Sequence, residues 1–124
     1  MKKYNLETGK LGESMARDYL ENKGYFILEQ NYENKYAEID IVAKEKDTVV
    51  FVEVKTRIGE QFGTPEDGLN KEKMNRLLRN AHAYVAMNVG AIPCGCPYRI
   101  DAICIVLDRA RQIQRINHYQ NITS

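Results

Sequence analysis

Tryptophan is absent from this 124-residue chain, histidine occurs twice, and proline and cysteine occur three times each. Nowhere is there a run of about 18 apolar residues, so no membrane-spanning helix is indicated. The N-terminus also lacks the apolar stretch of a secretory signal, which makes the cytoplasm the expected compartment. Cys94, Cys96 and Cys104 are an odd number, and C-x-C followed by a lone strand cysteine lacks the paired spacing of a zinc site. Free thiols are expected. His82 and His118 lie far from each other and from the acidic residues described below, and are read as structural or surface residues. Nor is there an excess of either charge: 18 Lys and Arg against 17 Asp and Glu give a net charge of +1. A chain coated in positive potential is excluded, and contact with any polyanion has to come from local basic clusters. No repeat or low-complexity tract appears.

What is present suits one globular domain over residues 1–124, with a real core and little room for a second. Leu11, Met15, Ala16, Tyr19 and Leu20 form an apolar stripe at helical spacing, which predicts a helix from about Glu7 to Lys23, stopped at Gly24. At about 100° per residue Glu13 falls on the edge of that stripe and can look toward a sheet. Tyr25 to Asn31 reads as a first strand. Gly59, Gly63, Pro65 and Gly68 mark Ile58 to Gly68 as a mobile loop. Met74, Leu77, Leu78, Ala81 and Val85 predict a helix from about Asn70 to Asn88, with Lys73, Arg76 and Arg79 around its remaining surface. After a loop from Val89 to Pro97, Tyr98 to Leu107 is an apolar strand and Gln112 to His118 a weaker edge strand. The order α-β-β-β-α-β belongs to an α/β fold with a mixed sheet flanked by helices, in which the second helix carries the chain to a parallel fourth strand.

Most informative is Ala37 to Ala43 followed by Val49 to Arg57, two β-branched apolar runs that nevertheless contain Asp40, Glu53 and Lys55. The polar segment Lys44 to Thr48 is short enough for a hairpin loop. With Lys46 and Asp47 as the turn, residue i pairs with residue 93 minus i, which sets Asp40 directly across from Glu53 with Cβ atoms about 5 Å apart. Strand alternation brings Lys55 to the same face as Glu53. Opposed carboxylates repel, so a cation has to compensate them. Lys55 supplies one charge, and a hard divalent ion such as Mg²⁺, with positions left open for a phosphate, supplies the rest. The plainer alternative is a structural ion pair in which Lys55 bridges the acids.

These residues resemble the PD-(D/E)-x-K nuclease superfamily, with its restriction-endonuclease-like core, and more closely the YraN-like family of small bacterial proteins. The resemblance runs over nearly the whole chain. Gly12-Glu13, Ala16, Tyr19-Leu20, Gly24-Tyr25 and Asn31 follow the family's opening pattern; Glu38-Ile39-Asp40 and Phe51 to Arg57 follow its centre. Phe62-Gly63-Thr64-Pro65, Lys73, Leu77, Ala81, Tyr84 and Arg99-Ile100-Asp101 continue it. One departure is Ala37, where the family usually has glycine; another is acidic Glu33, in a stretch where basic residues are common.

The resemblance implies metal-assisted hydrolysis of phosphodiester bonds, structure-directed or nonspecific, with Glu13, Asp40, Glu53 and Lys55 as the catalytic set. Asp40, Glu53, the main chain of Val54 and Glu13 would hold Mg²⁺ or Mn²⁺, and Arg57, Lys73 and Arg76 would contact flanking phosphates. The implied partner is nucleic acid, DNA in particular, with no membrane and with a homodimer allowed through the edge strand. Two alternatives stay open: a nucleic-acid-binding protein that kept the fold without turnover, and a partner-dependent interaction domain.

Overall fold

A computed structural model of the protein describes residues 2–88 and 96–123. The chain forms α1 (Lys2–Asn22), β1 (Phe26–Glu33), β2 (Glu38–Glu45), β3 (Thr48–Ile58), a 3-10 turn (Pro65–Gly68), α2 (Lys71–Met87), β4 (Tyr98–Leu107) and β5 (Ile113–Tyr119). The five strands make one open mixed sheet in sequential order. β1, β2 and β3 are antiparallel neighbours, β4 runs parallel to β3 after the α2 crossover, and β5 returns antiparallel at the edge. The expected element order and the parallel fourth strand are both present.

Alternation along the strands sends side chains to two faces, and each face is closed by one helix. Ile41, Ala43, Val50, Val52, Ile103 and Ile105 pack with Ala16 and Leu20 of α1. Val42, Val49, Phe51 and Ile100 pack with Leu77, Ala81 and Tyr84 of α2. β3, covered on both sides, therefore reads as an unbroken apolar run from Val49 to Val52. Each such side chain contributes about 1.5–3 kcal/mol by leaving water, which fixes the sheet between its helices.

α1 starts at Lys2, earlier than the apolar stripe predicts, because no breaker precedes Gly9. Its stop at Gly24 (φ 91°) is as expected. α2 is bounded by Asn70 and Asn88, and the Asn70 side chain accepts a hydrogen bond from the Lys73 main-chain N–H at 2.8 Å. The loop after β3 differs from its reading as mobile. It contains the 3-10 turn, and Glu66 within that turn accepts two hydrogen bonds from Arg115 of β5, at 2.7 and 2.8 Å, and one from Tyr119. These hydrogen bonds hold the Glu66 carboxyl down at about 2. Glycine-rich composition signalled a loop, but the anchoring partners lie 49 and 53 residues away and leave no local trace.

Near the start of β4 the buried carboxyl of Asp101 is bound by Arg99, by His118 at 2.8 Å and by the main-chain N–H of Asn121. Burial pushes this carboxyl up, but the hydrogen bonds from His118, Arg99 and Asn121 outweigh it and hold it below the usual range. His118 is thus a structural residue tying β5 to β4. Cys96 and Cys104 are free thiols, as expected; Cys94 and most of the loop expected from Val89 to Pro97 lie outside the described residues.

α1 lies close to β3 because Gly12 has no side chain: a Cβ there would fall 1.8 Å from Thr56 Oγ1. Gly12→Ala is expected to destabilise the protein by about 1–3 kcal/mol, although alanine is the better helix former. Urea denaturation checks this, and an unchanged or raised midpoint would show that the two elements separate freely.

Candidate functional site

The β2–β3 ladder follows the predicted register from Glu45↔Thr48 to Ile41↔Val52, and there it stops. Asp40 and Glu53 come next along the two strands, but they do not form the expected ladder pair. Instead the Asp40 carboxylate accepts a hydrogen bond from the Val54 main-chain N–H at 2.8 Å. Ile39 and Val42 pack into the same apolar cluster, although regular alternation would send them to opposite faces. β2 therefore changes its facing at Asp40, and a side-chain oxygen takes the place of a strand carbonyl.

The neighbouring strand is irregular at the same level. β1 pairs Gln30↔Ile41 and Tyr32↔Ile39, and between them Asn31 adopts φ 51°, a left-handed conformation that asparagine tolerates better than most residues. The Asn31 amide, in the orientation that satisfies both groups, donates to Glu13 Oε1 at 2.6 Å. Glu13 is delivered by α1 one residue after the close contact at Gly12. Asn31 belonged to the family pattern but carried no expected role, and its polar neighbours Glu29, Gln30 and Glu33 gave no sign of one.

Glu53 is buried, and two ammonium groups meet it: Lys73 Nζ at 2.9 Å and Lys55 Nζ at 3.6 Å from Oε2. Lys73 was expected on the phosphate-binding edge of α2. The Asn70 cap sets its position in the first helical turn, from which it reaches the acid directly. Lys55 lies against Gly68, where a Cβ would come within 3.2 Å of Lys55 Cε.

Glu13, Asp40, Glu53, Val54, Lys55, Lys73 and Arg76 all line one open cleft of about 490 Å³. Arg57 does not; it lines an adjoining groove. Lys35 and Glu38 complete the charged lining of the cleft. Ala37 keeps an ordinary backbone at the cleft wall, and its N–H and that of Tyr36 are both held by the Asn34 side chain. Alanine in place of glycine therefore adds no strain there. Among the described residues no three of His, Cys, Asp and Glu converge closely enough to coordinate an ion by themselves.

Burial, followed by the nearby Glu53, pushes the Asp40 carboxyl up to about 8, against the opposing hydrogen bond from Val54. Burial also raises Glu13, with Glu53 and Glu38 adding to it and Lys10 opposing. The Asp40–Glu53 pair therefore resists giving up its last proton. Such a site suits a cation that displaces the proton, or a reaction that moves one.

A model of one family, described as uncharacterised protein family UPF0102, matches residues 12–105. The chain belongs to that family. A UPF0102 protein of Clostridium botulinum (strain 657 / Type Ba4) is 41% identical over 104 residues, 84% of this chain and 83% of its own length. Another, from Syntrophus aciditrophicus (strain SB), is 49% identical over 81 residues, 65% of this chain and 64% of its own. The UPF0102 match spans Glu13, Asp40, Glu53 and Lys55, and agrees with the YraN-like resemblance of the sequence.

A carboxyl whose folded value lies above its unfolded value of 3.8 weakens the fold progressively as pH rises from 3.8 to about 8. Asp40→Asn keeps an acceptor for Val54 and removes the charge. It is expected to stabilise the protein by several kcal/mol at pH 8, the gain shrinking toward zero near pH 4. Urea denaturation across that range measures it. A loss of stability at pH 8 would identify Asp40 as a structural ion-pair partner instead.

Proposed function

We propose that the cleft hydrolyses phosphodiester bonds of nucleic acid, DNA in the first instance, and that the protein is a metal-dependent endonuclease of the cytoplasm on a restriction-endonuclease-like core. The observation that carries this reading is the meeting of Asp40, Glu53 and Lys55 where β2 and β3 part, with Glu13 facing them from α1. The donors are hard oxygens, and two adjacent carboxyls of which Asp40 resists ionisation are what a divalent cation relieves. Asp40, Glu53 and the Val54 carbonyl would hold Mg²⁺ or Mn²⁺ there, with retained waters filling the shell and Glu13 reaching the ion through one of them. Bound, such an ion supplies acidification of a water and neutralisation of charge on the scissile phosphate.

The chain's own groups supply the rest. Lys55, on the cleft wall beside Glu53, orients the attacking water or, as a fixed cation, stabilises the charge on the oxygens of the pentacoordinate transition state. Glu13, held by Asn31, presents its carboxyl to the same space and can accept a proton there. Lys73 and Arg76 on α2 take the flanking phosphates, and Lys73 exchanges its contact with Glu53 for one with the strand. Contacts of this kind position a backbone without reading its sequence, so cleavage is structure-directed or nonspecific.

A role in binding without turnover draws on one observation: Lys73 already neutralises Glu53 at 2.9 Å. Cleavage of labelled single-stranded, duplex and four-way-junction DNA and RNA in Mg²⁺ or Mn²⁺ decides between them. Metal-dependent cleavage that falls about 100-fold or more in Glu53→Gln is the expected result. Binding without cleavage by the intact protein would leave the binding role alone standing.

A further inference from the structure

Beside the cleft lies a second depression of about 590 Å³, which shares Gly9, Lys55 and Thr56 with it and extends to Arg57 and Phe62. Phe62 is 90% exposed, an unfavourable place for a large apolar ring. Its loop is nonetheless fixed. Glu60 and Glu66, on either side of Phe62, are both bound by Arg115, at 2.8 Å and at 2.7 and 2.8 Å. The ring is therefore presented on an anchored loop, with little ordering cost left for a ligand that covers it.

Gly9 forms part of the floor. A glycine inside a helix costs about 1 kcal/mol relative to alanine and calls for a reason. Gly12 has one, the contact with Thr56. Gly9 has none within the folded chain: among the described residues a Cβ there would meet nothing within 4 Å. The space that Gly9 leaves open is space on the boundary between cleft and groove.

We propose that this groove receives an unpaired nucleobase of a DNA strand, its ring stacked on Phe62, while the adjoining phosphates lie along Arg57 and Lys55 toward the cleft. The inference rests on the nucleic-acid reading of the cleft and deepens it by naming the substrate class. A base inside a continuous duplex has both faces covered by its neighbours and cannot stack on Phe62 without being extruded, at a cost of a few kcal/mol. The preferred substrate is therefore single-stranded DNA, or DNA unpaired next to the scissile bond. Charge favours this occupant over an apolar partner surface, which would desolvate the Arg57 cation with no opposite charge of its own to meet it. A nucleotide brings the ring and the anion together.

The test compares binding of a short labelled single-stranded DNA, and of the duplex of the same sequence, in Ca²⁺ to the intact protein, Phe62→Ala and Gly9→Leu. Single-stranded DNA should bind the intact protein more tightly than duplex. Phe62→Ala should weaken single-strand binding about tenfold, with duplex affinity and melting temperature unchanged. Gly9→Leu should weaken it similarly while melting at the same or a higher temperature, because leucine fills the groove and favours the helix. If the intact protein binds DNA but Phe62→Ala binds single strands equally well, the groove is not a base site and the reading of the cleft survives. A change in sedimentation of Phe62→Ala at constant DNA affinity would assign the ring to a second copy of the chain and overturn the inference. Absence of binding to either DNA by the intact protein overturns both.

Discussion

The hydrogen bond from the Val54 N–H to the Asp40 carboxylate is the contact on which the site depends. Past Ile41↔Val52 the two strands no longer pair, and an unsatisfied main-chain N–H at that depth would cost about 1–3 kcal/mol. Asp40 removes that cost by substituting for the missing carbonyl. In doing so it brings a carboxylate next to Glu53 in a poorly solvated place, and its raised pKa follows. The same divergence opens the mouth of the cleft, into which α1 turns Glu13 and α2 turns Lys73.

Such an arrangement holds only on a scaffold that does not relax. Apolar clusters close both faces of the sheet, and β3 is paired along its length with β4, from Val49↔Tyr98 to Ile58↔Leu107. Repulsion between the acids beside the middle of β3 thus has no cheap route to relief by strand movement. On the neighbouring strand, where Asp101 pairs with Val52, the Arg99–Asp101–His118 network satisfies a fully buried carboxyl with hydrogen bonds and ties in the edge strand. Two carboxyls in one small sheet consequently have opposite environments. Asp101 is matched by donors and sits low, whereas Asp40 faces another acid and sits high.

Much of this was legible before any coordinates. Helical spacing placed α2 within a residue at each end, because Asn70 and Asn88 are capping residues. The polar turn at Lys46-Asp47 set the hairpin register, and the run from Tyr98 to Leu107 announced an apolar strand. Glu13, Asp40, Glu53 and Lys55 were expected to meet, and they line one cleft. Register logic failed at Asp40 itself, since it assumes that alternation continues and a side chain that replaces a main-chain acceptor breaks that assumption. The loop around Phe62 misled for another reason: glycine content reports backbone freedom, while the order there comes from Arg115, far along the chain. Lys73 on Glu53 and Asn31 on Glu13 are likewise contacts between distant segments, visible only once the sheet has assembled.

On the function proposed, Asp40 and Glu53 form a divalent-cation site that carries a proton when empty of metal. Calorimetric titration of Mn²⁺ into the protein at pH 7, in two buffers of different ionisation enthalpy, tests it most directly. Saturable binding that releases a proton, and that is lost in Asp40→Asn, is the outcome this account requires. Absence of binding at millimolar Mn²⁺, or binding of equal strength and without proton release in Asp40→Asn and the intact protein, would contradict it.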